Sequence, residues 1–152
     1  MYHHFPKTFF PRPSYVHLRD TPMNTTDPFF VKDTWANNAA IELLDVSHGR
    51  ARVQMQIEEL HKNSHGTVHG GAIFTLADTA FALASNSHGV PAAAINANIS
   101  YVKSASGGTL YADAEEFSIN PKIATYIVTV TDNNGEKIAI FQGMVYRKTP
   151  RG

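Results

Sequence analysis

The sequence predicts an α+β domain in which an antiparallel sheet wraps around one long central helix. Three observations carry that prediction. A very apolar helical stretch opens at His69-Gly70-Gly71, two strand-like segments precede it, and four follow it, with turn signals short enough for hairpins between them. The chain has 152 residues, no internal repeat and no low-complexity segment, which is one core's worth of sequence.

The first 22 residues hold Pro6, Pro11, Pro13 and Pro22 among five aromatics, with no acid before Asp20. Basic and acid-poor, the segment faintly resembles a transit peptide, but its prolines oppose an amphipathic helix and it has no signal-peptide core. Residues 1–26 are therefore expected to form a flexible tail, with Met23 as an alternative start, and 27–149 the working domain. Asp27-Pro28 is a helix cap followed by proline at the first helical position, so a short leading helix is expected to about Asn38. Residues 40–46 read as a strand. After the turn at Ser47-His48-Gly49, Ala51, Val53, Met55 and Ile57 alternate with polar residues as a half-buried strand requires.

Asn63, Ser64, His65, Gly66 and Thr67 mark a loop. The long helix then runs to about 86 or 88, where Gly89 stops it. Four strands are expected near 93–103, 109–117, 123–132 and 137–147, with Asn133-Asn134-Gly135 a hairpin turn.

Composition narrows the function. Lys plus Arg and Asp plus Glu both total 13, so no field steers a polyanion and nucleic acid is not the expected partner. Without cysteine there is neither a disulfide framework nor a thiolate, which fits a reducing cytoplasm and leaves carboxylates, hydroxyls and eight histidines as reactive groups. The longest apolar run, 72–84, is short and broken by Asp78, so no membrane-spanning helix is expected.

Asp78 is the anomaly in that run, because a carboxylate in apolar surroundings is either paired or used for chemistry. Thr75, Asp78, Thr79, Ala82, Ser85 and Asn86 fall on one helical face. That stripe is either the solvated side of an amphipathic helix or, given its small side chains and lack of Lys, Arg or Glu, a face against another surface or a ligand. At the helix start, unpaired first-turn amides and the helix dipole suit a carbonyl oxygen gaining negative charge, and Gly70-Gly71 either lets it approach or simply makes a tight entry turn. Gly71 and Asp78 are about 10 Å apart along the axis at 1.5 Å per residue, too far to serve one reacting carbon within a chain. Two antiparallel helices related by a two-fold axis would bring Asp78 of one chain to Gly71 of the other, which predicts an obligate homodimer with two shared sites.

The run Asn63-Ser64-His65-Gly66-Thr67-Val68-His69-Gly70-Gly71, followed by Leu76-Ala77-Asp78-Thr79-Ala80-Phe81-Ala82, resembles the hotdog-fold acyl-coenzyme A thioesterases, most closely the PaaI-type subfamily of phenylacetate degradation, over roughly 27–147. The resemblance implies a helix enclosed by the sheet, subunits paired into one continuous sheet, and dimers paired again into a homotetramer. It implies hydrolysis of aryl-, phenylacetyl- or medium-chain acyl-coenzyme A with no separate cofactor and no metal. Gly71 would donate its N–H to the thioester oxygen, Asn63 would place its amide nearby, His69 would lead into the glycines, and the partner's Asp78 would act as nucleophile or general base. His65 or His69 could assist the leaving thiolate, and Gly70 would line the site. The hydroxyl that orients water in some relatives corresponds to Ala94 here, which leaves Thr79 as a substitute. Lys103 and Lys122, at strand ends, are candidates for the nucleotide phosphates or ordinary solvated lysines.

His61, His65 and His69 recur every four residues, but they lie in a loop rather than on a helix and so are not expected to hold a metal. A hotdog enoyl-coenzyme A hydratase or dehydratase is the enzymatic alternative. A non-catalytic acyl-coenzyme A-binding module is the other, though residues 1–26 lack the basic cluster of a DNA-binding segment.

Overall fold

The computed structural model describes residues 27–148, so the expected tail over 1–26 and position 149 lie outside the described residues. Asp27 caps helix α1 (Pro28–Val31), its Oδ1 accepting from the N–H groups of Phe29 and Phe30 at 2.9 and 3.1 Å. The single leading helix expected to Asn38 is instead two. Asp33 leaves the helical backbone region and accepts the Ala36 N–H at 3.0 Å, which ends α1 and caps α2 (Thr34–Asn38).

Ala40, at φ 56°, turns the chain into β1 (Ile41–Ser47), which is why that strand starts one residue later than its composition suggests. It pairs antiparallel with β2 (Arg50–Gln56) across a turn that uses Gly49 at φ 72°. A 3-10 turn (Glu59–His61) and a loop lead to α3 (Gly70–Asn86), followed by β3 (Ala92–Tyr101), β4 (Thr109–Ile119), β5 (Ile123–Thr131) and β6 (Lys137–Arg147). The six strands form one antiparallel sheet in the order β1-β2-β4-β5-β6-β3. Because α3 carries the chain across the sheet, β3 lands on the far edge, beside the last strand.

Alternation places the core. Ala51, Val53 and Met55 of β2, Leu110, Ala112 and Ala114 of β4, and Ala124, Tyr126, Val128 and Val130 of β5 are buried, together with Ile73, Leu76, Ala77, Ala80, Phe81, Leu83 and Ala84 of α3. Helix and β6 fit closely. A Cβ on Gly143 would lie 2.5 Å from Cζ of Phe81, so the strand backbone stays bare beneath that ring. Phe81 in turn packs against Phe141 and Tyr126 with ring centroids 5.4 and 5.8 Å away. At the other end of the helix, His88 Nε2 donates to Glu116 at 2.6 Å and the Tyr126 hydroxyl donates to the same oxygen at 2.9 Å.

Edge strand β3 differs from the rest. Only Ala92 and Ile99 among its ten residues are even half-buried, although the strand is long and ends in the exposed aromatic Tyr101. Its free edge is an open template for another strand.

Candidate functional site

The site begins in the loop before α3. Asn63 organises it: its Oδ1 accepts the N–H groups of His65 and Thr67 at 2.9 and 3.2 Å, and its Nδ2 donates to the Thr67 hydroxyl at 3.0 Å. The side-chain amide expected beside a substrate is thus half-buried in its own turn, with one amide hydrogen left over. His65 is exposed at the tip. His61 does something else: Nδ1 accepts the Glu58 N–H at 2.9 Å and Nε2 donates to the Ala39 carbonyl at 2.8 Å, so both ring nitrogens hold the leading segment to the loop and neither is open to a metal.

His69 caps α3 with its side chain, Nδ1 accepting the Gly71 N–H at 2.8 Å. The amide expected to face an oxyanion is therefore engaged by the side chain two residues before it. The Gly70 N–H has no acceptor among the described residues. Both glycines are crowded by neighbours in the chain itself. A Cβ on Gly70 would sit 3.2 Å from Cζ of Tyr101, whose hydroxyl donates to the Gly70 carbonyl at 3.0 Å, and a Cβ on Gly71 would sit 3.0 Å from His69 Nδ1. Close approach is needed, as expected, but the approaching groups are an imidazole and a phenol.

The helix face is narrower than the sequence suggested. Thr79 and Ser85 are 4 % and 1 % exposed, their hydroxyls donating to the carbonyls of Thr75 at 2.7 Å and Ala82 at 3.1 Å. Thr79 is therefore a buried residue of the described subunit, its hydroxyl proton held by the helix backbone. The small hydroxyls let α3 bury these positions because the helix backbone satisfies them. What stays open is the line Thr75, Asp78, Ala82 and Asn86, and Asn86 itself clamps the start of β3, accepting the Ala92 N–H at 2.9 Å.

Asp78 is half-buried, and among the described residues its carboxylate has neither a hydrogen-bond nor an ion-pair partner. Burial pushes its pKa above the ordinary carboxylate value, and the negative charge of Asp33 pushes the same way. An unpaired, half-desolvated carboxylate with a raised pKa is suited to take a proton or attack a carbon.

Nothing in the local pattern marks Asp33 or Trp35 as neighbours of this face. The Trp35 indole N–H donates to the Thr75 hydroxyl at 3.1 Å, and the ring is otherwise 71 % exposed. Tyr101 was equally hidden. A local pattern cannot show any of them, since each reaches α3 from 31 to 45 residues away.

The remaining candidates lie on or beside the strands. Ala94 is exposed on β3, opposite Val145 and next to a bulge. Lys103 forms an exposed ion pair with Glu136. Lys122 lies in the β4–β5 turn with its ammonium 5.8 Å from the Tyr146 ring centroid. Among the described residues no helix is long and apolar enough to cross a membrane.

The sequence profile of the thioesterase superfamily matches residues 65–139, which covers the end of the loop, the helix, β3 to β5 and the start of β6. A candidate esterase of Archaeoglobus fulgidus is 44 % identical over 124 residues, 77 % of this chain and 80 % of that protein. The acyl-coenzyme A thioesterase PaaI of Escherichia coli is 31 % identical over 119 residues, 78 % of this chain and 85 % of that protein. The solved structure of the E. coli PaaI protein superposes with a TM-score of 0.78 at 29 % identity, over 82 % of this chain and 91 % of that one. The fold is thus the hotdog arrangement that the motif implied.

Proposed function

This chain belongs to the thioesterase superfamily and is a thioester hydrolase, and from that premise we propose that it hydrolyses acyl-coenzyme A thioesters in a site shared between two subunits. The observation that carries the proposal is the unpartnered Asp78 carboxylate on an open face of a helix whose first-turn amides are about 10 Å away. A two-fold pair of antiparallel helices closes that gap, and the uncovered edge of β3 supplies the seam along which two sheets would join.

In this reading the thioester oxygen takes the place of His69 Nδ1 against the Gly71 N–H and lies close to the free Gly70 N–H. Charge developing on that oxygen is stabilised by the amides and by the positive end of the α3 dipole. Asp78 of the other subunit, ionised, either takes a proton from water as it attacks the carbonyl carbon or attacks the carbon itself to give an anhydride that water opens. Coenzyme A leaves as a thiolate in both routes and needs no strong general acid. The spare amide hydrogen of Asn63 is available to the thioester. His65 stands exposed at the loop tip, open to the leaving group.

The test is thiol release from a panel of acetyl-, octanoyl- and phenylacetyl-coenzyme A. Wild-type protein is expected to release thiol, and Asp78→Asn to lose about 10²- to 10⁴-fold in kcat, the range of a lost general base. Full activity in Asp78→Asn protein, or a wild-type enzyme that is active as a monomer by analytical ultracentrifugation, would overturn the reading.

A further inference from the structure

Both carbonyls of the glycine pair that opens α3 accept a side-chain hydroxyl. The Tyr101 hydroxyl donates to the Gly70 carbonyl at 3.0 Å, and the Thr75 hydroxyl donates to the Gly71 carbonyl at 2.9 Å. A carbonyl oxygen has two lone pairs, so such a contact adds to helical pairing rather than replacing it. The two contacts differ in where they lead. The N–H that shares a peptide unit with the Gly71 carbonyl belongs to Ala72 and is turned inward, donating to the His69 carbonyl at 2.9 Å. The N–H that shares a unit with the Gly70 carbonyl is that of Gly71, the proposed partner of the thioester oxygen.

We propose that Tyr101 is a positioning residue for that amide: its hydroxyl orients the Gly70–Gly71 peptide and draws electron density to the Gly70 oxygen, making the Gly71 N–H a stronger donor. The inference rests on the thioesterase reading above and adds a group that acts through the peptide without touching the substrate. A peptide unit is a rigid conjugated plane, so fixing its oxygen fixes the direction of its N–H. Hydrogen bonds in a chain also strengthen one another, by about 10–30 % per bond. The chain here runs from the Tyr101 hydroxyl through the peptide to the acceptor of the Gly71 N–H, which is His69 Nδ1 at 2.8 Å in this structure and the thioester oxygen during reaction. The gain grows as that oxygen becomes negative, so it falls on the transition state more than on the bound substrate.

The phenol is well anchored for this role. Tyr101 closes β3 opposite Ala139 of β6, and the next N–H, that of Val102, donates to the Ile138 carbonyl at 2.8 Å. The helix entry is pinned from its own side, with the Val68 N–H on the Ala105 carbonyl at 2.8 Å and the His69 N–H on the His61 carbonyl at 2.7 Å. Gly70 leaves room for the ring, since a Cβ there would stand 3.2 Å from Tyr101 Cζ. A strand end and a pinned helix start are thus joined at one hydrogen bond, and a strand holds a group more precisely than a loop does.

The experiment measures kcat and KM for acetyl-, octanoyl- and phenylacetyl-coenzyme A, the denaturation midpoint, and the amide nitrogen resonance of Gly71, in wild-type and Tyr101→Phe proteins. The substitution keeps the ring over Gly70 at a position that is 51 % exposed, so the donor alone is lost. In Tyr101→Phe, kcat is expected to fall by about three- to tenfold with KM unchanged, the mark of an interaction made in the transition state. The Gly71 resonance is expected to move upfield as its peptide loses polarisation. Fluorotyrosine at position 101, which keeps the hydroxyl and donates more strongly, is expected to raise kcat above wild type. A Tyr101→Phe protein that loses stability but keeps wild-type kcat, a Gly71 resonance that does not move, or a fluorotyrosine protein no faster than wild type would overturn this inference alone. No thiol release by wild-type protein from any of the three thioesters would overturn the thioesterase reading and this role with it.

Discussion

The Gly71 N–H is held by His69 Nδ1 at 2.8 Å, so the amide proposed to meet the thioester oxygen already carries a side-chain cap. An imidazole nitrogen accepts that bond only while unprotonated. His69→Ala removes the cap and is expected to lower stability by about 1 kcal/mol, read as the urea midpoint at constant slope. His69→Asn, a side chain that caps well, is expected to restore the midpoint. A stable His69→Ala protein would mean that the cap contributes nothing to the fold.

Tyr101 fixes the other glycine. Tyr101→Phe loses the hydrogen bond to the Gly70 carbonyl at an expected cost of about 1 kcal/mol. Gly70→Ala places a methyl 3.2 Å from the same ring and is expected to displace the helix start, with kcat falling further than stability. Equal loss of both quantities in Gly70→Ala would show that the glycine serves folding alone.

Asp78 sets a stability that depends on pH in a definite direction. Its pKa is higher in the folded chain than the ordinary carboxylate value, so the folded state is favoured while the group stays protonated and loses that advantage as pH rises through the raised value. Asp78→Asn is therefore expected to melt higher than wild type at neutral pH, with the difference closing below about pH 4, the ordinary carboxylate range. An identical melting temperature for both proteins across that range would show that the carboxylate is not desolvated in solution.

Asp33 is expected to tune the same group. Asp33→Asn keeps a side chain that can cap α2 and removes the negative charge facing Asp78, so the Asp78 pKa falls. If activity needs ionised Asp78, the acid limb of the kcat/KM profile moves to lower pH in that variant. A limb that does not move would place the essential ionisation elsewhere.

Gly143→Ala tests the packing under the helix. The added methyl meets Phe81 Cζ at 2.5 Å, so ring or strand must move, and the expected cost is about 1–3 kcal/mol by denaturant titration. Pairing it with Phe81→Leu is expected to recover part of the loss, since the smaller side chain vacates the space.

Much of the architecture was legible because it is written in short-range patterns. Period-two alternation in 51–57, turn residues such as Asn134-Gly135 and the apolar helix from Gly70 identify their elements without reference to anything distant. Asp78 stood out for the same reason: a lone charge among apolar neighbours is a local fact. The leading helix was misjudged by one residue's choice, since Asp33 reads equally well as a helical position or as a cap until its carboxylate is seen on Ala36. Thr79 and Ser85 were misplaced because helical spacing alone does not say how wide a face the sheet covers.

What the sequence determined by itself is the set of elements, the helix that opens at the glycines and the charge that does not belong in it. What only the tertiary structure decided is which groups surround that charge and those glycines. Trp35 meets Thr75 across 40 positions of sequence and Tyr101 meets Gly70 across 31, and such pairs exist only once the chain has packed and brought α2 and the end of β3 to the helix. Local periodicity is fixed by backbone geometry within a few residues, whereas these contacts are fixed by the packing of the whole chain.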